Sequence, residues 1–211
     1  MPDLTTIWVF LAASLVLLLV PGPSVLYVSS RTLDLGARGG AMSTLGLAAG
    51  DTVQVLAATV GLSALVAANE VAFEVVKYAG AAYLVWLGVR RLMTPIMPLE
   101  SEQGQVAQAS GGRIFLDGLV VNALNPKSTL FFLAFLPAFV NSDQAPVWST
   151  TLVLGLVFVV VGVLTNGAWA ALSLLLRSRA QRSRGFLQAQ RYVGGGVLIA
   201  LAGVAVFTGT Q

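Results

Sequence analysis

Long apolar segments, each sufficient to cross a bilayer, restrict the fold of this chain more than any other feature of its sequence. A membrane-spanning helix needs roughly 17–25 residues. Six such segments lie at residues 6–30, 41–68, 71–92, 114–140, 147–176 and 192–208. Their apolar residues form continuous runs without the period-two spacing of a barrel strand, which is typical of helices buried on all sides. We predict an all-α polytopic membrane protein with six transmembrane helices.

The composition excludes several kinds of site. The chain contains no cysteine and no histidine, so it cannot form a disulfide, a thiol redox centre or a zinc site with Cys and His ligands. It also lacks a P-loop and a Gly-x-Ser-x-Gly elbow, and we predict no enzyme activity, no cofactor and no metal. Neither a basic region nor a cleavage motif flanks the first apolar segment, and we expect it to remain as a span.

Basic residues orient the predicted spans. Ten of the twelve Lys and Arg residues lie in the loops after spans 1, 3 and 5 or, like Arg90 and Arg91, at the end of the span that leads into the loop, while Lys77 and Lys127 lie elsewhere within spans. By the positive-inside rule, these Arg-rich loops are cytoplasmic and both the N and C termini lie outside. The net charge of +3 therefore reflects membrane topology. We expect membrane lipids, and not nucleic acid, around this protein.

A polar stretch at residues 93–112 divides the chain into two halves, 1–92 and 113–211, with three predicted spans each. Because three is an odd number, the second half enters the membrane from the side opposite to the first. We predict a single transmembrane transporter domain over 1–211, with the stretch between the halves as a cytoplasmic linker. The glycine-rich last span suits close helix packing and is compatible with a homodimer.

Two proline-containing sequences interrupt predicted spans at matching places in the two halves. They are Pro21-Gly22-Pro23 in the first span and Asn125-Pro126-Lys127 in the fourth. Proline removes a backbone hydrogen bond, and irregular backbone in a membrane is tolerated where it lines protein or a water-filled cavity. Matching interrupted helices in halves of odd span number predict a 3+3 inverted repeat and a secondary transporter. A simple kink at each proline is the alternative.

Charged and amide side chains inside the spans are the candidate binding residues. Asp51 lies about 15 Å deep in the second span, and a charge near the bilayer centre costs at least ~2.5–3.5 kcal/mol on insertion scales. Gln54 shares its helix face. The predicted substrate- or ion-binding set is Pro21, Gly22, Pro23, Asp51, Gln54, Asn122, Asn125, Pro126, Lys127 and Asn166. The alternative for Asp51 and Asn166 is a polar contact that joins neighbouring helices.

Several of these motifs together resemble one known family. They are the Pro-Gly-Pro-Ser sequence from Pro21, the Gly50-Asp51 pair, the segments 77–88 and 118–127 with Asn125-Pro126-Lys127, and the segment 131–137. The chain resembles the lysine exporter (LysE) superfamily in its RhtB-like branch. The resemblance implies export of amino acids or close derivatives across the inner membrane, energised by the proton gradient. It also points to Pro21, Gly22, Pro23, Asp51, Asn125, Pro126 and Lys127 as functional residues.

The leading hypothesis is therefore a proton-coupled amino-acid exporter of the bacterial cytoplasmic membrane. In it, the substrate carboxylate faces Lys127 or a half-helix N-terminus, where charge and dipole favour an anion. Asp51 binds the substrate ammonium or the antiported proton. Two alternatives stay open at this point: an exporter or facilitator of another small solute, and a membrane scaffold or assembly factor that transports nothing.

Overall fold

The computed structural model describes residues 2–68, 110–139 and 146–175, together with isolated positions between 75 and 93 and at 192 and 199. The described part of the chain is helical and contains no strand. Its elements are α1 (Leu4–Leu19), α2 (Pro23–Ala68), α3 (Gly111–Ala123), α4 (Pro126–Ala134), a 3-10 turn (Leu136–Phe139) and α5 (Val147–Leu175). The predicted all-α class is confirmed for these residues.

The first helix break lies where the Pro-Gly-Pro sequence predicts it. Helix α1 begins after Asp3, whose side chain accepts a hydrogen bond from the Thr6 backbone N–H at 2.6 Å. It ends at Val20, which has an extended backbone, the conformation that a following proline favours. Pro23 then begins α2, since a proline at the first helical position needs no N–H partner.

Helix α2 reverses direction at Gly36. This glycine has φ 68° and ψ −155°, a backbone conformation that residues with a side chain rarely adopt. A Cβ placed on Gly40 would lie 2.6 Å from Oγ1 of Thr32, whereas eight residues of straight helix separate two positions by about 12 Å. The chain therefore folds back on itself here, between the first two predicted spans.

The second helix break separates α3 from α4. Helix α3 ends at Leu124, and Asn125 caps α4 by accepting a hydrogen bond from the Lys127 backbone N–H at 3.1 Å. Pro126 occupies the first turn of α4. The bend between the two helices is 42°, and the bend at the first break is 55°. Both proline-containing sequences thus interrupt a helical path.

Only some of the described helices are long enough to cross a membrane. Helix α5 is long and apolar enough to do so by itself. If each bent pair of helices is counted as one span, up to three segments are long and apolar enough. The predicted spans at 71–92 and 192–208 and the linker at 93–112 lie largely outside the described residues. Six spans and the outside position of the termini therefore stay predictions.

Close helix packing places α2 against α3 and α5. Gly46 and Gly50 of α2 lie directly on the α3 backbone: a Cβ on Gly46 would collide with the carbonyl oxygen of Phe115, and one on Gly50 would lie 2.7 Å from that of Leu119. The Gly-x-x-x-Gly spacing thus brings two backbones together, as such spacing does in membrane helices. Large apolar side chains such as Trp8 and Leu164 are exposed on the outside, as expected of a surface that faces lipid.

Candidate functional site

The two helix breaks lie against each other and are joined by side-chain hydrogen bonds. Ser24, in the first turn after the first break, donates to Oδ1 of Asn122 at 2.7 Å. The amide nitrogen of Asn125 donates to the Ser24 hydroxyl at 2.9 Å. All three residues are buried. Residues about a hundred positions apart therefore form one polar cluster, which we call the break cluster (Ser24, Asn122 and Asn125).

Lys127 binds two carbonyl groups at the end of α1, of which that of Leu17 also accepts the Val20 N–H at 3.1 Å. Its ammonium nitrogen donates to the Val20 oxygen at 2.9 Å and to the Leu17 oxygen at 3.2 Å. Its side chain passes Gly22, where a Cβ would lie 3.3 Å from the ammonium nitrogen. The C-terminal end of a helix carries partial negative charge, so the buried ammonium group stabilises the end of α1.

Gln54 likewise binds carbonyl groups at the second break. Its amide nitrogen lies within hydrogen-bonding distance of the carbonyl oxygens of Asn122 and Asn125, at 2.8 and 3.3 Å. The Ala123 oxygen and the Thr129 hydroxyl lie at 3.2 and 3.0 Å. The Asn122 carbonyl lies in the last turn of α3, where Pro126 has no N–H to offer it, and it accepts the Asn125 N–H at 3.0 Å. The Asn125 carbonyl accepts the Thr129 N–H at 3.1 Å, so Gln54 adds to these backbone bonds. Gln54 thus shares the face of Asp51 as predicted, but its nitrogen is engaged by the break.

Asp51 is buried without a hydrogen-bond donor. Its side chain is 1% exposed, and neither carboxylate oxygen accepts a hydrogen bond from any residue that the structure describes. The neighbouring Asn122 uses its amide nitrogen to donate to the Leu47 carbonyl oxygen at 2.7 Å. Lys127 is the charged group close enough to act on the carboxylate electrostatically, yet its ammonium group bonds to Leu17 and Val20.

A third acceptor without a donor belongs to Gln54. Its Oε1 is buried and accepts no hydrogen bond from the described residues, and it lies on the helix face that carries Asp51. Buried carboxylate and amide oxygens of this kind lose free energy unless a donor reaches them. The site therefore offers acceptors to a group that brings its own hydrogens, such as an ammonium ion, a proton or water.

The remaining predicted residues take different places around this site. Pro21 and Gly22 are buried at the first break, whereas Pro23 is exposed and begins α2. Asn166 is buried on α5. It stands one turn beyond Gly162, the residue that faces Asp51, so both lie on one side of that helix.

Sequence reasoning missed two residues that the structure brings into the site. Ser24 joins the two breaks, and its place directly after Pro-Gly-Pro was a signal that could have identified it. Gly162 lies against the Asp51 carboxylate. No pattern in the sequence of α5 distinguishes this glycine from Gly155 and Gly167.

An exposed ion pair lies away from the buried charges. The guanidinium of Arg31 lies 3.5 Å from the Asp117 carboxylate, and it stacks over the Tyr27 ring at 5.4 Å from the centroid. Arg31 belongs to α2 and Asp117 to α3. The pair connects α2 to α3, and hence the first half to the second.

Comparison with known proteins identifies the family. The model of the family described as LysE type translocator matches residues 15–211. A homoserine/homoserine lactone efflux protein of Salmonella typhi is 34% identical over 166 residues, which is 78% of each chain. A leucine efflux protein of Enterobacter sp. (strain 638) is 32% identical over 147 residues, or 70% of this chain and 69% of the relative. No solved structure matches this chain. The chain therefore belongs to the LysE type translocator family, whose members are transporters and not enzymes.

Proposed function

We propose that this protein is a secondary transporter that exports amino acids or close derivatives across the bacterial cytoplasmic membrane by proton antiport. Family membership and two relatives named as efflux proteins for homoserine and leucine support amino-acid export. The observation that carries the proposal is the buried Asp51 carboxylate, which has no donor among the described residues. An intramembrane carboxylate of this kind marks an ion or proton path in many transporters.

Asp51 binds the substrate ammonium group in this proposal. A primary ammonium carries three N–H donors and a positive charge, which matches the unpaired acceptors of Asp51 and Gln54. Homoserine, its lactone and leucine all carry such a group, whereas the lactone has no free carboxylate. Recognition of the ammonium group therefore suits every solute that the names of the two relatives mention.

Coupling to protons follows from competition at the same carboxylate. A buried ionised carboxylate is costly without a counter-charge, so Asp51 holds either a cation or a proton. The substrate binds from the cytoplasm and displaces the proton, and a proton from outside later displaces the substrate. Exchange of the two at Asp51 links export to proton entry, with no second site required.

Lys127 holds the end of α1 and lends positive charge to the same region. Its bonds to the Leu17 and Val20 carbonyls make its first role structural. A substrate carboxylate binds near this ammonium group and the N-terminus of α4, where the helix dipole also favours an anion. The wall between the Asp51 and Lys127 charges is formed by Asn122, Asn125 and the two breaks. Asn166 lies on the facing side, on α5.

We also propose the six-span architecture as a 3+3 inverted repeat with Arg-rich cytoplasmic loops and outside termini. The matched helix breaks support it, because Ser24 of one half bonds to Asn122 of the other. Such a contact is expected where repeat halves meet at a substrate site near the membrane midplane. Membrane lipids surround the apolar outer face, and the proposal is compatible with a homodimer.

Uptake into everted membrane vesicles tests this function. Export appears as accumulation of labelled homoserine, homoserine lactone or leucine, and it is abolished by an uncoupler and by Asp51→Asn. Asp117→Asn is the matched control, because it makes the same chemical change at an ion-paired, half-exposed carboxylate. Accumulation of none of the three solutes by folded protein would overturn amino-acid export and favour another solute or a scaffold.

A further inference from the structure

The Asp51 carboxylate lies directly on the backbone of α5 at Gly162. A Cβ placed on this glycine would lie 2.9 Å from Oδ2 of Asp51 and 4.0 Å from its Cγ. Carbon and oxygen atoms in van der Waals contact stay more than 3 Å apart. The carboxylate therefore occupies space that every other residue at position 162 would fill.

This contact belongs to a close packing of α2 on α5. One turn beyond Asp51, Val55 packs onto Gly155, where a Cβ would overlap its side chain. Gly162 and Gly155 are two turns apart on α5, so one face of this helix follows the face of α2 that carries Asp51 and Val55. Gly167 on the same helix has no described atom of another element within 4 Å.

A side chain at position 162 would push the carboxylate toward α3. The polar group on that side is Asn122, which lies beside Asp51 and whose amide nitrogen now donates to the Leu47 carbonyl. A displaced carboxylate would compete for this amide and acquire a protein donor. It would then no longer depend on a ligand for its hydrogen bonds.

We propose that Gly162 is a positioning residue for ligand binding: its missing side chain lets the Asp51 carboxylate lie on α5, where the neighbouring Asn122 donates it no hydrogen bond, so that the cation bound there comes from outside the protein. This inference rests on the proposed function. It adds that the substrate ammonium and the proton are selected through the contact between α2 and α5. Lys127 of α4 is the charge that acts on Asp51, and helices α1 and α5 contain no charged residue.

Three alanine substitutions on α5 test the proposal, with KM and the pH dependence of export as readouts. Gly162→Ala should raise KM for labelled amino acid at least about tenfold, because a charge-assisted hydrogen bond contributes about 1.5–3 kcal/mol. It should also move the pH dependence of export. Gly167→Ala should match the wild type in both readouts. Gly155→Ala should lower the melting temperature through its contact with Val55 and leave the pH dependence unchanged.

A second pair of variants separates positioning from folding. If Gly162→Ala folds poorly, the double variant with Asp51→Ser should restore the melting temperature, since the shorter side chain leaves room for the added methyl group. Failure of this rescue would overturn the contact. If the wild type exports amino acid and Gly162→Ala equals Gly167→Ala in KM and in pH dependence, the proposal is overturned and the transport function stands. Absence of export by the wild type would instead overturn the function on which it rests.

Discussion

The ammonium group of Lys127 donates a hydrogen bond to the carbonyl oxygen of Val20 at 2.9 Å. A residue of the second helix break therefore stabilises the first break. Val20 is the C-cap residue of α1, directly before Pro21, and its carbonyl has no helical N–H to accept from. A lysine, with its long side chain and several donors, can reach such a group from a neighbouring helix. The two breaks therefore depend on each other for stability.

Replacing Lys127 should destabilise the protein before it changes specificity. Lys127→Met keeps the length of the side chain but removes the ammonium donor to the Leu17 and Val20 carbonyls; of these, Leu17 keeps the Val20 N–H at 3.1 Å. A buried carbonyl left without a donor costs about 1–3 kcal/mol, so the loss at Val20 should make thermal unfolding in detergent begin at a lower temperature. Lys127→Arg retains donors and should lose less stability. A Lys127→Met protein as stable as the wild type would contradict the role of Lys127 in stabilising the first break.

Ser24 and Asn122 should show coupled effects on stability. The hydroxyl of Ser24 donates to Asn122 Oδ1 at 2.7 Å in a buried setting, and a hydrogen bond of this kind contributes about 0.5–1.5 kcal/mol. In a double-mutant cycle with Ser24→Ala and Asn122→Ala, the double variant should be less destabilised than the sum of the single variants. Additive effects would mean that the two breaks are not joined by this contact.

Gln54 should act through its nitrogen at the second break. Gln54→Glu replaces the donor with a second oxygen that faces the carbonyls of Asn122 and Asn125. We therefore expect Gln54→Glu to be more destabilising than Gln54→Leu, which only removes the side-chain donor and leaves these carbonyls their backbone bonds from Asn125 and Thr129. Melting temperatures of the two variants decide the order. Thr52→Ala is a suitable control, because this exposed hydroxyl bonds within its own helix to Ala48.

Two glycines of α2 should respond in opposite ways to the same substitution. Gly46→Ala places a methyl group on the backbone of α3 at Phe115 and forces the helices apart, which should destabilise the protein by about 1–3 kcal/mol. Gly61→Ala meets no atom within 4 Å in the part of the chain that the structure describes, and it should be neutral or stabilising by up to about 1 kcal/mol, because alanine favours helix over glycine. Thermal unfolding of both variants measures the difference.

The sequence was informative where local chemistry determines the structure. Prolines interrupt helices wherever they occur inside them, so both breaks were predictable from Pro21 and Pro126. The Gly46-x-x-x-Gly50 spacing is likewise typical of a close helix contact, although it does not identify the helix that makes the contact. Burial of Asp51 followed from its position within an apolar run, and the structure leaves it 1% exposed.

Contacts between distant segments were not predictable in the same way. Apolar runs without a polar face carry little information on which side of a helix meets a neighbour, and Gly162 therefore gave no signal. Gln54 looked like a second ligand of the site because it shares a face with Asp51. Only the structure shows its amide nitrogen at the carbonyls of the second break.

Matched Asp→Asn substitutions at positions 51 and 117 should separate function from stability. Asp117 is 41% exposed and pairs with Arg31, and an exposed ion pair contributes about 0–1 kcal/mol. Asp117→Asn should therefore change stability little and leave amino-acid export and its pH dependence intact. Asp51→Asn preserves the shape of the side chain but removes a buried negative charge whose oxygens accept no hydrogen bond from the described residues, and such a charge is costly in the folded state. The protein should remain folded, with an unchanged or raised melting temperature, while uncoupler-sensitive export is lost. Equal export by both variants would contradict a role of Asp51 in coupling, since a carboxylate that binds the transported cation cannot be replaced by a neutral amide.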